Sequence, residues 1–190
     1  VITGNIVSGS GTSAPALGNP QDIFVIGKYA YVAAYASSTF EILDVSNPNS
    51  PAHAGWIANG TGGAQLNGVS ELFVAGNYAY LGSPNYLEIV NVASSTNPTH
   101  VASLNDDVGG AELGGPTGIF VSGNNAYIST DSGGDDALEI VDVGGVNISN
   151  AEIGTIKVSN LLATNFAQFI FPLSQNFCEN SKVNLFTICE

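Results

Sequence analysis

Arginine is absent from this chain of 190 residues, and three lysines oppose sixteen carboxylates. The formal net charge is -13. Proteins that bind nucleic acid displace condensed counterions with Lys and Arg side chains, and anionic membrane surfaces attract the same cations. The composition therefore argues against a DNA or RNA partner and against an anionic membrane surface.

Long apolar runs are also lacking. No stretch approaches the roughly 18 residues needed to span a bilayer, so no membrane insertion is expected.

Methionine is missing and the sequence begins at Val1. We therefore expect a processed product or a fragment, most simply one that has lost a signal peptide. Charged residues make up only 10% of the chain, which leaves Ser, Thr, Asn and Gly to build the surface. That composition is typical of exported proteins and predicts an extracellular or cell-surface location.

Cysteine is scarce, and both residues, Cys178 and Cys189, lie near the end of the sequence. In an exported protein an even pair at short spacing indicates a disulfide. Two buried free thiols are the alternative. Zinc is poorly supported because neither His53 nor His100 is close to the cysteines in sequence.

The chain contains one sequence motif that occurs three times. FVIGKYAYV, FVAGNYAYL and FVSGNNAYI begin at residues 24, 73 and 120, and each is followed by a second run, FEILDV, LEIVNV or LEIVDV. Alternating apolar residues rich in Val, Ile, Phe and Tyr indicate strands. Gly27, Gly76 and Gly123 lie between the first two strands of each repeat, where a tight hairpin turn requires a positive φ.

A fourth strand completes each repeat. It is predicted at 53–58 and 100–105, after turns rich in Pro and Asn, and at 152–158 in the third repeat. Four short antiparallel strands in a unit of about 40 to 50 residues are the signature of a propeller blade. The sequence therefore predicts an all-β, propeller-type repeat with three clear four-stranded blades.

The two ends of the sequence extend this pattern. Residues 3–6, TGNI, align with 54–57, AGWI, so the chain starts with a strand that has no partner in its own repeat. Candidate strands at 166–171, 176–180 and 184–189 predict a degenerate fourth blade closed by the N-terminal strand, with a separate cap or assembly arm as the alternative. The predicted parts of the single domain are the N-terminal strand and crossing 1–20, the repeats 21–70, 71–117 and 118–160, and the tail or fourth blade 161–190.

The YAYV strand, the LEIVDV strand and the SNP turn after FEILDV resemble the LVIVD repeat, a β-propeller repeat of bacterial and archaeal surface and secreted proteins. The resemblance covers about residues 13–160. It implies a propeller fold and an extracellular setting. It implies no reaction and supplies no catalytic residues.

One loop interrupts the repeat pattern with acidic residues. Asp131, Asp135 and Asp136 lie on the glycine-rich segment DSGGDD. Hard cations bind oxygen ligands, so these residues are the calcium candidates, with a solvated acidic loop as the alternative. Asn59 and Asn147 begin N-glycosylation sequons in turn contexts. No other cofactor is predicted.

Residues that recur in successive repeats are expected to serve the blade. His53 and His100 hold the same repeat position, which predicts a structural role. Glu41, Glu88 and Glu139 recur as the second residue of the LEIVDV-type strand, which favours a solvent-facing or turn-bonding role. The tyrosines of the second strand are expected to pack within blades, with a sugar-stacking face as the alternative. These tyrosines are Tyr29, Tyr31, Tyr78, Tyr80 and Tyr127.

The motifs favour a protein without enzymatic activity. There is no Gly-x-Ser-x-Gly elbow for nucleophilic catalysis, and no carboxylate pair stands out for glycoside cleavage. We therefore expect a non-enzymatic extracellular protein that assembles with copies of itself through terminal strands, as a closed oligomer or as the subunit of a surface filament or pilus-like appendage. The alternatives are a monomeric adhesin or lectin-like module that binds glycan or calcium through its loops, and a glycan-active hydrolase.

Overall fold

A computed structural model describes residues 3–7, 17–131 and 136–144. Every described residue belongs to one compact unit, residues 1–146. Both cysteines, the strand predicted at 152–158 and the tail 161–190 lie outside the described residues. The disulfide and the fourth blade therefore stay predictions.

Eleven described strands form three antiparallel sheets, which we call blades one, two and three. Blade one contains β1 (Pro20–Ile26), β2 (Tyr29–Ala34), β3 (Thr39–Asp44) and β4 (Ala52–Ala58). Blade two contains β5 (Glu71–Ala75), β6 (Tyr78–Ser83), β7 (Tyr86–Asn91) and β8 (Thr99–Asn105). Blade three has three strands among the described residues, β9 (Pro116–Ser122), β10 (Asn125–Thr130) and β11 (Ala137–Asp142). This architecture confirms the predicted all-β, propeller-type fold.

Each blade is a meander in which every strand pairs with the next strand in sequence. The hairpins between the first two strands turn at Gly27, Gly76 and Gly123, whose φ angles of 60°, 58° and 59° lie in the left-handed region. We call the segment that connects one blade to the next a crossing. Single turns of 3-10 helix, Thr61–Gly63 and Val108–Gly110, occur in the two crossings between the described blades. The turn positions predicted from the glycines are therefore confirmed.

The core lies between the blades. Phe40 and Ile42 of blade one pack with Leu72 and Val74 of blade two, and Leu66 from the crossing joins the same cluster. A second cluster joins blades two and three. Because the side chains of a strand alternate between its two faces, each blade contributes one apolar set to each neighbour.

The first strands of successive blades also carry one phenylalanine each at the same repeat position. Phe24 and Phe73 meet edge to face with ring centroids 5.1 Å apart. Phe73 and Phe120 repeat that arrangement at 5.0 Å. Aromatic pairs favour this geometry, in which the positive edge of one ring faces the negative face of the other. The three rings form a ladder that runs through all three blades.

Candidate functional site

Blades one and two each contain a buried glutamate beside a histidine. Glu41 and Glu88 are both 0% exposed. His53 Nδ1 lies 2.8 Å from Glu41 Oε2, and His100 Nδ1 lies 2.5 Å from Glu88 Oε1. The predicted solvent-facing role of these two glutamates is therefore wrong, while the structural role predicted for the two histidines agrees with this arrangement.

A β-bulge brings each histidine to the face of its glutamate. In blade one, Ile42 is opposite Gly55 but Leu43 is opposite His53, so Ala54 has no partner on β3. Blade two has the same irregularity between Ile89 and Val90. A regular register would place the histidine on the opposite face of the sheet, because side chains alternate along a strand. The one-residue bulge in β4 and in β8 therefore places each histidine beside its glutamate.

In blade two, Glu88 also forms a hydrogen bond with the crossing that leads from blade one. Glu88 Oε2 accepts the backbone N–H of Gln65 at 3.1 Å, and Ser83 Oγ donates to the carbonyl of Gln65 at 2.9 Å. Burial raises the pKa of Glu88, although the hydrogen bond with His100 opposes that shift. Burial likewise raises the pKa of Glu41. The turn-bonding alternative is thus confirmed for Glu88.

Each crossing is also stabilised by a side chain at its start. Asn59 Oδ1 accepts the N–H of Leu66 at 2.8 Å, and Asp106 Oδ1 accepts the N–H of Leu113 at 2.6 Å. The side chain of Asn59 is exposed, and its glycosylation stays a prediction. The second sequon residue, Asn147, lies outside the described residues.

The predicted calcium loop is described only at its two ends. Asp131 and Asp136 are exposed, while Asp135 falls among residues 132–135, outside the described part. Within the described ranges, no three His, Cys, Asp or Glu side chains group closely enough to hold a metal ion. Calcium binding stays a prediction.

The tyrosines of the second strands divide by position. Tyr31 and Tyr80 are buried in the packed clusters. Tyr78 is exposed, and Tyr29 and Tyr127 are half-buried. Packing between neighbouring blades, rather than a continuous sugar-stacking face, accounts for the burial of Tyr31 and Tyr80.

The N-terminal segment occupies the place of an outermost strand before blade one. Ile6 packs against the cluster on the outer face of blade one, as Ile57 packs between blades one and two. Gly4 lies so close to the carbonyl of Pro48 that an added Cβ would collide with it, and Gly55 has the same relation to the carbonyl of Ser95. The predicted alignment of TGNI with AGWI is therefore confirmed in space. Residues 3–7 form no strand themselves and pair with no described strand, so the strand predicted there is not formed in the described structure.

Blade one exposes an apolar surface on the side away from blade two, which we call the leading face. Ile23 and Val25 of β1 are 60% and 58% exposed. They alternate with Phe24, which packs toward blade two. The residues at the same repeat positions in blade two, Leu72 and Val74, are each only 4% exposed because blade one covers them.

Blade three exposes the complementary surface on the side away from blade two, which we call the trailing face. Phe120, Leu138 and Ile140 are 57%, 65% and 58% exposed. Phe40 and Ile42, at the repeat positions of Leu138 and Ile140, are fully buried against blade two. The two ends of the described array therefore display the two halves of an interblade contact.

Two carboxyl groups lie close together where the first strands of blades one and two meet. Asp22 Oδ2 accepts the N–H of Leu72 at 2.8 Å, which links β1 to β5. Burial raises the pKa of the neighbouring Glu71, and the negative charge of Asp22 raises it further. The folded protein therefore disfavours the ionised form of Glu71.

We expect the stability of the protein to fall as pH rises through the folded-state pKa of Glu71. Because that pKa lies above the unfolded-state value, the contribution is complete below the unfolded-state pKa and is lost above the folded-state one. Glu71→Gln abolishes this titration, so its Tm minus that of the wild type should increase with pH across that window. Thermal unfolding from about pH 4 to pH 8 measures this difference, and a constant difference would contradict the assignment.

Comparison with known proteins agrees with the repeat geometry. The LVIVD repeat matches residues 17–58, 68–106 and 114–152. No curated protein matches the chain significantly in sequence. None of the helical turns in the described part of the chain is long and apolar enough to cross a membrane.

Two solved structures of natural proteins share the fold of this chain at low sequence identity. Kuenenia stuttgartiensis hydrazine synthase aligns with a TM-score of 0.54 and 15% identity, covering 74% of this chain and 37% of that one. A functionally unknown protein from Desulfotomaculum acetoxidans aligns with a TM-score of 0.54 and 19% identity, covering 72% of this chain and 44% of that one. The computationally designed Ika4 protein aligns with a TM-score of 0.48 and 8% identity over 66% of each chain. The aligned region spans less than half of the two natural chains.

Proposed function

Because the chain belongs to the LVIVD repeat family, we propose that it is a non-enzymatic structural protein, outside the cell or on its surface, that assembles with copies of itself through its N-terminal strand. The observation that carries this proposal is the position of residues 3–7. They lie where the outermost strand of a preceding blade belongs, and they have no strand partner among the described residues. A second copy would supply that partner.

Strand addition gives this assembly a physical basis. An unpaired sheet edge presents a row of N–H and C=O groups that another chain can satisfy with main-chain hydrogen bonds. In the described part of blade three, β11 pairs with β10 on one side only. Residues 3–7 of one copy and the side of β11 that pairs with no described strand in another are therefore suitable partners.

Composition supports the setting and the choice of partner. A net charge of -13 with no arginine disfavours nucleic acid and anionic membranes as partners. The low content of charged residues supports an exported protein. The activity named for the hydrazine synthase is not transferred to this chain, since 15% identity supports a shared fold alone.

Blocking the N-terminal strand tests the proposal. Gly4→Val places a side chain against the carbonyl of Pro48, so residues 3–7 cannot keep their position. We expect the wild type to form species well above the 19.4 kDa of one chain and the variant to lose them. Asn5→Ala, at the exposed neighbouring position, is the matched control and should assemble normally.

The readout is mass by light scattering, with negative-stain images of the same samples. A protein from which residues 1–12 are deleted should behave as Gly4→Val does. Polymers that persist in both variants would contradict a role for the N-terminal strand. A wild-type monomer would redirect the search to glycan or calcium binding by the loops.

A further inference from the structure

We propose that the trailing face of one copy packs on the leading face of a second copy, head to tail, so that the contact between copies repeats the contact between blades. The inference rests on the self-assembly proposed above and names the two surfaces that carry it. Both surfaces belong to described residues of the compact unit 1–146.

The interfaces inside the chain show what each face is built to contact. Between blades one and two, Phe40 and Ile42 are buried in one cluster with Leu72 and Val74. The trailing face offers Leu138 and Ile140 at the repeat positions of the first pair. The leading face offers Ile23 and Val25 at the repeat positions of the second pair. Ile23 and Val25 are exposed because no described blade covers them. Joining the two faces would therefore bury the same kinds of side chains in the same arrangement.

The phenylalanine ladder indicates the direction of the contact. Each ring packs edge to face on the ring of the next blade, from Phe24 to Phe73 and from Phe73 to Phe120. The ladder then ends at Phe120, whose ring has no following blade among the described residues and is 57% exposed. In a head-to-tail contact, Phe24 of the second copy takes the next position in the ladder. A contact between two trailing faces or two leading faces would not continue it.

The N-terminal strand fits the same arrangement. Residues 3–7 lie beside the leading face, at the position of an outermost strand. When blade three of another copy covers that face, the side of β11 that pairs with no described strand lies next to residues 3–7 of the second copy. The predicted strand 152–158, outside the described residues, would compete for that side of β11.

A contact between two different faces is heterologous, so it can propagate. Such contacts close into rings when the rotation between copies allows it and otherwise grow into helical filaments. Each copy carries a net charge of -13, and repulsion between copies is screened by salt. Assembly should therefore be measured at about 0.15 M ionic strength.

Two variants that each destroy one face test the inference. Val25→Glu removes the leading face and Leu138→Glu removes the trailing face, and both positions are exposed in the folded chain. Each variant alone is expected to remain at the 19.4 kDa of one chain. Mixed together, they retain one intact contact and should form a dimer of twice that mass. Val101→Glu, an exposed valine on β8 away from both faces, should assemble as the wild type does.

Light scattering of the separate and mixed samples distinguishes the outcomes, with circular dichroism to verify that each variant is folded. A variant that still polymerises alone would overturn the face contact while leaving assembly through residues 3–7 intact. A mixture that stays monomeric would also overturn it. A wild-type monomer would instead overturn the proposed function itself.

The strand contact is tested in the same mixture. At the one intact contact, residues 3–7 come from the Leu138→Glu partner. Adding Gly4→Val to that partner should therefore raise the dissociation constant of the dimer by about tenfold or more. A tenfold change corresponds to about 1.4 kcal/mol. Gly4→Val added to the Val25→Glu partner is the matched control and should leave the dimer unchanged. Equal affinities in the two mixtures would overturn the contact between residues 3–7 and β11.

Discussion

Replacing Glu88 with alanine is expected to destabilise the protein by about 2–5 kcal/mol, because the backbone N–H of Gln65 and the ring of His100 both lose their acceptor. The substitution removes the acceptor for His100 Nδ1 and for the N–H of Gln65. It thereby loosens both blade two and the crossing that enters it. Urea unfolding followed by circular dichroism measures the free energy of unfolding.

Two further variants separate this effect from a general loss of charge. Glu88→Gln keeps an oxygen that can accept the N–H of Gln65, so its loss of stability should be smaller. Glu112→Ala removes an exposed glutamate and should change the free energy of unfolding by less than about 0.5 kcal/mol. Equal losses for Glu88→Ala and Glu112→Ala would show that the buried pair does not support the fold.

Phe40→Ala is expected to cost about 3–5 kcal/mol, since it leaves a cavity in the main interblade cluster. Phe40 is fully buried, and its ring stacks on Tyr31 with centroids 6.1 Å apart and planes inclined by 13°. Chemical unfolding of the variant beside the wild type measures the loss. Tyr78→Ala removes an exposed aromatic ring from β6 and should cost less than about 1 kcal/mol. A comparable loss at both positions would contradict the assignment of the core to the space between blades.

The architecture could be predicted from the sequence because the strands are defined by local rules. The alternation of FEILDV predicted a strand at 40–45, and the structure places it at Thr39–Asp44. The glycine at each first turn fixed the hairpins because only a positive φ closes them. The same strand pattern also occurs in all three repeats. A single short apolar run could be a strand or a buried helical segment, and the recurrence favours the strand.

The buried glutamates could not be predicted from the same rules. Strand periodicity assigns a residue to one of two faces, but the covering of that face depends on the crossing and on the neighbouring blade. The bulge that turns His53 and His100 toward the glutamates is likewise a property of two paired strands. A signal was nevertheless present, because glutamate and histidine are separated by 12 residues in both repeats.

The candidate assembly site was predicted in part. The alignment of TGNI with AGWI predicted the position of residues 3–7, since Gly4 lies against the turn at Pro48 as Gly55 lies against the turn at Ser95, although residues 3–7 form no strand. The two exposed faces could not be identified, because Leu138 and Phe40 hold the same repeat position and differ only in whether a described blade covers them. Exposure at the ends of a repeat array is set by the number of neighbours, which the pattern of one repeat does not contain.

The most direct test of self-assembly is the mass of the intact wild-type chain in solution by light scattering. If the chain assembles with copies of itself, the wild type forms species well above 19.4 kDa, and Gly4→Val, which displaces residues 3–7, reduces them to that mass. A wild-type mass of 19.4 kDa across the accessible concentration range would contradict it.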